Sequence, residues 1–417
     1  MSETITAPGT FLQTWTSGNA TLEGIDVQIP GRIIISYDQA RNDTATVEIT
    51  STSEDLANVI DINTVPASTG LVVNENGIQV LSDGQDLKLK LVEANVDVRG
   101  TLLVKVILNQ PVARISSFSG ELIVQDGALS LQDKTANVSV SSFAGKRIWI
   151  DSTSPVSVSS LSVNVGGSGD VYLTSPSVQA KNLLDFTVLG SGSLIVDAKD
   201  VATDLFKSTI LGSGNVYTNA SVIATRLESE ILGSGSINYY PSGACNESKV
   251  SIIGSGSAYI GSVASNFTYV DTIGSGDAYI QAIDTLTSDG FGPGKVKYFN
   301  VTPVHAPKAP EKKHSWFSIP KPKVELTSEN KHKEKSIVPE PPLSEGSTVH
   351  VVTHHGWFYW PPSNSQASVQ NTNLLNSRLG SSPHSEYGIS AIAMMFIAIV
   401  AFIVYKKNKR NGYQVIQ

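Results

Sequence analysis

Cysteine, methionine and charge are all scarce in this chain of 417 residues. Cys245 is the only cysteine, so no disulfide can form within the chain, and cysteine gives no indication of the compartment. Charged residues make up 16% of the sequence, and the formal net charge is −7. Because no strongly basic stretch occurs in the first 300 residues, a nucleic-acid partner has no electrostatic support.

Histidine is missing from most of the chain, because all seven histidines lie between His305 and His384. We therefore expect no metal and no cofactor in the long region that precedes them. The abundant residues are Ser, Thr, Gly, Val and Ile, which are typical of short strands and turns rather than of amphipathic helices. The composition predicts an all-β fold.

A Gly-Ser-Gly unit recurs six times in the middle of the chain, each time before a short strand-like run. A seventh, altered unit begins at Gly292, and earlier echoes occur at Phe118 and Phe143. The spacing between successive units decreases gradually along the chain and is roughly 20 residues. This period suits a β-solenoid whose coils stack about 4.8 Å apart, with glycine at positive φ in each corner. The six units begin at Gly167, Gly190, Gly212, Gly233, Gly254 and Gly274.

The residues after each corner alternate in character, as they do in a strand, and so fall into two rows. One row is apolar, and we expect it to fill the interior; its members are Val171, Leu194, Val216, Ile237, Ala258 and Ala278, joined by Leu173, Val196, Ile260 and Ile280. The other row should face outward, where its rings either stabilise neighbouring coils, by about 0.2–1 kcal/mol per pair, or bind sugars. This candidate ligand face carries Tyr172, Tyr217, Tyr259 and Tyr279.

The chain resembles a known family, the auto-transporter adhesin head domain, which is also called the GIN domain. The resemblance covers about residues 10–302 and includes the runs that begin at Leu22, Asn76 and Val104, besides the glycine corners. It implies a right-handed parallel β-helix with a β-rich N-terminal part, as in bacterial surface and lipid-anchored proteins. The family has no established catalytic residues, so the resemblance implies none here.

Other uses of the glycine corners fit poorly. No corner is followed by the Lys-Ser/Thr of a phosphate-binding loop or by the third glycine of a dinucleotide site. Parallel β-helices do include enzymes that cleave polysaccharides, which need acidic groups clustered on adjacent coils. Asp170 and Asp277 share a row but are five coils apart, roughly 24 Å at the coil spacing. We therefore expect a protein that is not an enzyme.

The composition divides the chain into five parts. An N-terminal segment, 1–16, precedes the ectodomain, 17–302; the segment 303–387 is rich in Pro, Lys and Ser, which predicts a disordered stalk. Residues 388–405 carry no formal charge and would span roughly 27 Å as a helix, enough to cross a bilayer. The tail, 406–417, begins with four basic residues among its first five, which predicts a cytosolic C-terminus and a type I orientation.

Two further features bear on this topology. The first fifteen residues lack the basic and apolar regions of a cleavable signal, so either a leader is missing from this sequence or the chain inserts by its tail with a cytosolic domain. Seven Asn-X-Ser/Thr sequons precede the stalk and favour glycosylation in a lumen. They are Asn19, Asn42, Asn137, Asn219, Asn246, Asn266 and Asn300.

The tail resembles the Gly-Tyr-X-X-Φ sorting tails of lysosome-associated membrane glycoproteins, with Tyr413 and Ile416 at the key positions. The resemblance implies clathrin adaptors as partners and an endosomal or vacuolar location. Residence at the plasma membrane is the leading alternative.

Taken together, the sequence predicts a single-pass membrane glycoprotein that presents an adhesin-like β-solenoid at the cell surface. Its role would be recognition, with glycans or cell-wall or matrix components as partners, or structural coating. Two other functions stay open: a polysaccharide-active β-helix enzyme, and a protective lumenal coat of an endosomal or vacuolar membrane.

Overall fold

The computed structural model describes residues 2–3, 10–67, 71–74, 77–80, 84–92, 95–143, 146–307, 321–333, 337–353 and 368–369. The chain divides into two units, Met1–Asn371 and Thr372–Gln417, and all the described residues belong to the first. The predicted membrane span, 388–405, and the tail with Tyr413 and Ile416 lie outside them. Within the described ranges, the chain forms no helix with the length and apolarity that a membrane crossing requires.

The N-terminal part is a β-rich layer, as predicted. Its strand β10 pairs with β5 in antiparallel fashion and with β4 in parallel fashion. Strand β2, which falls in the predicted N-terminal segment 1–16, pairs with β5. The elements are β1 Ser2–Glu3, β2 Phe11–Thr16, β3 Leu22–Val27, β4 Arg32–Tyr37, β5 Ala45–Ser51, α1 Glu54–Asn58, β6 Ile60–Pro66, β7 Leu71–Asn74, β8 Gly77–Val80, β9 Gln85–Leu91 and β10 Val96–Leu108.

A solenoid of about eight coils follows, and it stacks on β3 and β4 through parallel pairing with β11 and β12. Each later strand pairs in parallel with the equivalent strand of the next coil. The strands are β11 Arg114–Ser117, β12 Glu121–Val124, β13 Asn137–Ser142, β14 Ile148–Asp151, β15 Val156–Gly167, β16 Val171–Thr174, β17 Ser177–Gly190, β18 Ser193–Gly212, β19 Asn215–Gly233, β20 Ser236–Gly254, β21 Ser257–Gly274, β22 Asp277–Phe291 and β23 Lys295–Phe299. The predicted all-β solenoid is confirmed; its right-handed sense stays a prediction.

The predicted interior rows fill the solenoid. All ten residues assigned to them, from Val171 to Ile280, are at most 2% exposed. The register explains this, since Val171 pairs with Leu194 and Leu194 with Val216, so like residues stack coil on coil. Sequence patterns missed Tyr239, which takes an interior position on β20 and is fully buried. Its hydroxyl donates to Ser208 Oγ at 2.8 Å, which satisfies the buried polar atom.

Glycine forms the corners, as predicted. At Gly233, φ is +133°, and a Cβ there would lie 2.2 Å from the carbonyl oxygen of Gly212 on the previous coil. That oxygen accepts hydrogen bonds from the backbone N–H groups of Ser234 and Gly235, at 2.9 and 3.2 Å. The close approach of two corners leaves no room for a side chain, which is why glycine recurs.

The region predicted as a disordered stalk contains folded chain that packs on the solenoid. We call residues 321–333 and 337–353 the strap. Its first strand, β24 Lys323–Thr327, pairs in parallel with β23 at the last coil. Its second, β25 Ser347–Thr353, pairs antiparallel with β10 in the N-terminal layer, and β26 Ser368–Val369 pairs with β25. The strap therefore contacts both ends of the coil stack.

The expectation of disorder was wrong for the strap because its Pro- and Lys-rich composition hides a short alternating run. In β25, Val349 and Val351 are 3% and 0% exposed and join the main core. His350, on the opposite side of the strand, lies 2.8 Å from Asp97 of β10. Two buried valines and a seven-residue ladder suffice to hold the segment.

Candidate ligand-binding face

The outward row forms one continuous face along the stack. From β14 to β22 its register partners are Trp149, Tyr172, Ile195, Tyr217, Asn238, Tyr259 and Tyr279. The rings of Trp149 and Tyr172 stack at 5.7 Å between centroids, and those of Tyr259 and Tyr279 at 5.1 Å. The predicted ladder of stacked rings therefore forms, although Ile195 and Asn238 interrupt it.

The four tyrosines are less exposed than predicted. Tyr172 and Tyr279 are only 6% and 4% exposed, and Tyr217 and Tyr259 are partly buried. The row faces outward as predicted, but the strap covers part of it: Val338 packs on the cluster that contains Tyr172, and Lys331 Nζ lies 5.4 Å from the centroid of the Tyr279 ring. Burial and the charge of Asp170, which accepts a hydrogen bond from the Tyr172 hydroxyl, raise the pKa of Tyr172 to about 12.

The strap is anchored along this face by several polar contacts. Trp149 Nε1 donates to the carbonyl of Pro339 at 2.9 Å, next to Val338, which packs on the aromatic cluster. Nearer the last coil, Asn330 Nδ2 donates to Ser262 Oγ at 2.9 Å. At the other end, Arg32 donates to the carbonyl of Glu345. The strap thus crosses the row that sequence patterns assigned to an external ligand.

The C-terminal end of the face is closed by a charged cluster. Lys297 Nζ lies 3.0 Å from Asp277 Oδ2 and 2.9 Å from the Tyr279 hydroxyl, and 4.6 Å from the centroid of the Tyr279 ring. Burial opposes the charge of Lys297, but its hydrogen bonds to Tyr279 and Asp277 raise its pKa overall. Asp277 is therefore held as an ion-pair partner of Lys297.

A cleft remains between the strap and the middle of the face. Its volume is about 320 Å³, and its walls are Tyr217, Thr218, Asn219, Asn238, Tyr240, Pro241, His332 and Lys333. The ring of Tyr240 is 39% exposed and stacks on His332 at 4.1 Å. The backbone N–H of Lys333 donates to Asn238 Oδ1 at 2.9 Å, which fixes the strap wall. Burial lowers the pKa of Lys333.

The cleft combines aromatic rings, amides and a cation, which are groups that bind polar ligands with apolar faces. Sequence patterns found Tyr217 but missed Tyr240, which lies beyond the repeated unit, and missed both strap residues. No group of three or more His, Cys, Asp or Glu side chains that could hold a metal occurs among the described residues.

The sequons occupy different environments. Six of the seven asparagines are exposed: Asn19, Asn42, Asn137, Asn246, Asn266 and Asn300. Asn219 differs, because it lines the cleft and its Nδ2 atom is buried. Asn266 Nδ2 donates to Asn246 Oδ1 on the adjacent coil at 3.2 Å. Glycosylation of all seven stays a prediction, and Asn219 is the position least suited to carry a glycan.

One family model matches the solenoid. Residues 121–301 match the sequence model of the family described as "Putative auto-transporter adhesin, head GIN domain". This part of the chain is therefore similar to GIN domains. The match begins at β12, so the expected extension of the resemblance to residue 10 lies outside the matched range.

The solved structures that are similar to this chain have low sequence identity to it. A "putative adhesin" from Parabacteroides distasonis is 18% identical, with a TM-score of 0.42, over 68% of this chain and 95% of its own. One from Parabacteroides merdae is 20% identical, with a TM-score of 0.36, over 76% and 96%. One from Bacteroides fragilis is 14% identical, with a TM-score of 0.34, over 69% and 96%. A search of curated proteins finds no match.

Proposed function

We propose that the protein is a membrane-anchored recognition module that presents its GIN-type solenoid outside the cytosol and binds a glycan in the cleft between strap and solenoid. The proposal rests on the cleft, because aromatic, amide and cationic side chains line it together. Its volume of about 320 Å³ lies at the lower end of the range of about 300–1,000 Å³ that is usual for small-molecule sites. One or two sugar rings fit that size.

The side chains of the cleft suit the two surfaces of a sugar ring. The C–H face of the ring would pack on Tyr240, whose exposed side points into the cleft region. Hydroxyl groups would bond to the amides of Asn219 and Asn238. The ammonium group of Lys333, which already donates to Asn215 Oδ1 at 3.2 Å, would add a contact to an acidic sugar.

Anchoring by residues 388–405 and cytosolic exposure of the tail are part of the same proposal. They rest on the apolar span, the basic residues that follow it and the exposure of six sequon asparagines. We place the protein at the plasma membrane, with clathrin-dependent routing through Tyr413 and Ile416 as the alternative. We propose no enzymatic role: the register-paired Asp271 and Asp289 lie on an outer sheet face rather than in the cleft.

Glycan binding is tested on an array with the purified full-length protein. The substitution Tyr240→Ala should reduce binding by up to about tenfold, since stacking of a ring contributes about 0.5–1.5 kcal/mol. The matched control is Ile223→Ala, which removes a 57% exposed side chain elsewhere on the solenoid and should leave binding unchanged. Wild-type protein that binds no glycan, or binding that survives Tyr240→Ala, would contradict the proposal.

A further inference from the structure

A second outer face of the solenoid carries an apolar ladder that the proposed function does not use. It lies on the last strand segment before each glycine corner. Leu189 pairs with Leu211, Leu211 with Leu232, Leu232 with Ile253, Ile253 with Ile273, and Ile273 with Phe291. Leu189 and Phe291 are each 42% exposed, and the four residues between them are partly exposed. We call this sheet surface, from β13 to β22, the ladder face.

The ladder extends toward the N-terminal coils. Phe143 lies beside Gly166, the register partner of Leu189, and is 44% exposed. Its ring stacks on that of Phe118 at 5.0 Å between centroids. A contiguous apolar stripe along so many coils is more than the scattered exposed side chains of a monomeric surface, and such stripes mark interfaces.

A charged row runs parallel to the ladder, four residues before it on each strand. Along four successive coils it consists of Asp185, Lys207, Glu228 and Lys249, with register pairing between neighbours. The signs therefore alternate along the stack. Glu228 and Lys249 form no ion pair with another described residue, so their charges are available to a partner.

This row is self-complementary under one symmetry operation. Consider a two-fold axis that runs parallel to the strands, in the plane of the face, midway between β18 and β19. Rotation about this axis brings a second copy onto the face with its coils in the reverse order. Lys207 of one copy then lies opposite Glu228 of the other, and Asp185 opposite Lys249, and each pair occurs twice. Isologous two-fold interfaces have this reciprocal pattern, in which residue i contacts j and j contacts i.

The same two-fold axis also pairs the other rows of the ladder face. The axis between β18 and β19 divides its eight strand segments into two equal sets, so every coil finds a partner coil. The apolar ladder meets the apolar ladder, with Leu211 opposite Leu232. Between the charged row and the ladder lies a third row, two residues before the ladder. Its acidic residues do not face one another, because Glu230 faces Thr209 and Asp271 faces Asn164.

The area is sufficient for a stable dimer. Eight coils at about 4.8 Å and the five residues from the charged row to the ladder, at about 3.3 Å each, give a face of roughly 630 Å². Specific interfaces bury about 600–1,000 Å² on each partner. We propose that the ladder face binds the same face of a second copy of this chain, with the two coil stacks antiparallel.

The test uses full-length protein with two different tags, and light scattering coupled to size exclusion to measure the oligomeric state. Wild type should be a dimer that contains both tags. Lys207→Glu and Glu228→Lys each place like charges together twice, and each should weaken dimerisation by about tenfold or more. An equimolar mixture of the two variants should restore a dimer that contains both tags, because the carboxylate introduced in one chain then faces the ammonium group introduced in the other.

Two controls separate this pairing from damage to the fold. The double variant Lys207→Glu/Glu228→Lys should dimerise with itself, and far-UV circular dichroism should match wild type throughout. Ile223→Glu, which changes a residue of β19 outside the ladder face, should leave the dimer intact. Monomeric wild-type protein, single variants that dimerise as wild type does, or a mixture that stays monomeric would each overturn the proposal.

Discussion

The corner at Gly233 allows the stacking of coils to be tested by a single methyl group. Gly233→Ala places a Cβ 2.2 Å from the Gly212 carbonyl oxygen at φ +133°. Strain at such a φ costs about 1–3 kcal/mol for a residue other than glycine. Separation of the two corners also weakens the two hydrogen bonds that the Gly212 oxygen accepts, at about 1 kcal/mol each. The free energy of unfolding should therefore fall by about 3–5 kcal/mol.

The control for this prediction is Gly18→Ala. Gly18 has φ +62°, but a Cβ there would have no heavy atom within 4 Å. Its substitution should cost only the left-handed strain of about 1–2 kcal/mol. Urea unfolding followed by far-UV circular dichroism measures both values. If Gly233→Ala costs no more than Gly18→Ala, corner-on-corner contact is not what requires glycine, and the stacking described here is refuted.

Two further predictions concern the strap and the charged cluster. Trp149→Phe removes the hydrogen bond to Pro339, worth about 1 kcal/mol, so limited proteolysis within the strap should accelerate about fivefold while cleavage elsewhere is unchanged; an unchanged rate would mean that the strap is not held there. Because the folded pKa of Lys297 is raised, its stabilising effect is complete below its unfolded pKa of about 10.4 and is lost as pH rises through the folded value. The difference in Tm between wild type and Lys297→Met should therefore be present at pH 9 and shrink in strong alkali, and a difference that is constant across this range would contradict the ion pair.

The repeat made the core of the solenoid predictable. The regular recurrence of the glycine corners fixes one coil, and alternation within each unit fixes which side chains point inward, so Val171 and Ile237 could be placed without a structure. Both are fully buried. The positive φ of the corner glycines follows from the same pattern, because no other residue fits where two corners meet.

The surroundings of the outward row could not be predicted in the same way. Alternation indicates that Tyr172 points out of the coil, but not that a segment from much later in the chain covers it. Val338 and Pro339 reach the row within a strap whose strand β25 pairs with β10. Composition does not reveal pairing between strands that are far apart in the sequence. A Pro- and Lys-rich segment therefore resembles a disordered linker until its partner strand is known.

The rows of the ladder face, unlike the strap contacts, are present in the sequence. These apolar and charged rows are visible in the sequence only once the coils are aligned, because they precede each glycine corner whereas the recognisable repeat follows it. The alternation of Asp185, Lys207, Glu228 and Lys249 acquires meaning only from the register, which places the four side chains in one line. Because the period shortens along the chain, a fixed repeat length conceals that line.

Endoglycosidase treatment of the full-length protein from eukaryotic cells tests whether the solenoid lies outside the cytosol. Protease protection of the tail in intact cells is measured in parallel. A solenoid outside the cytosol should give a mobility shift on glycan removal that Asn246→Gln reduces and Asn219→Gln does not, together with a tail that is protected from external protease. Absence of any shift would mean a domain on the cytosolic side and would contradict this topology.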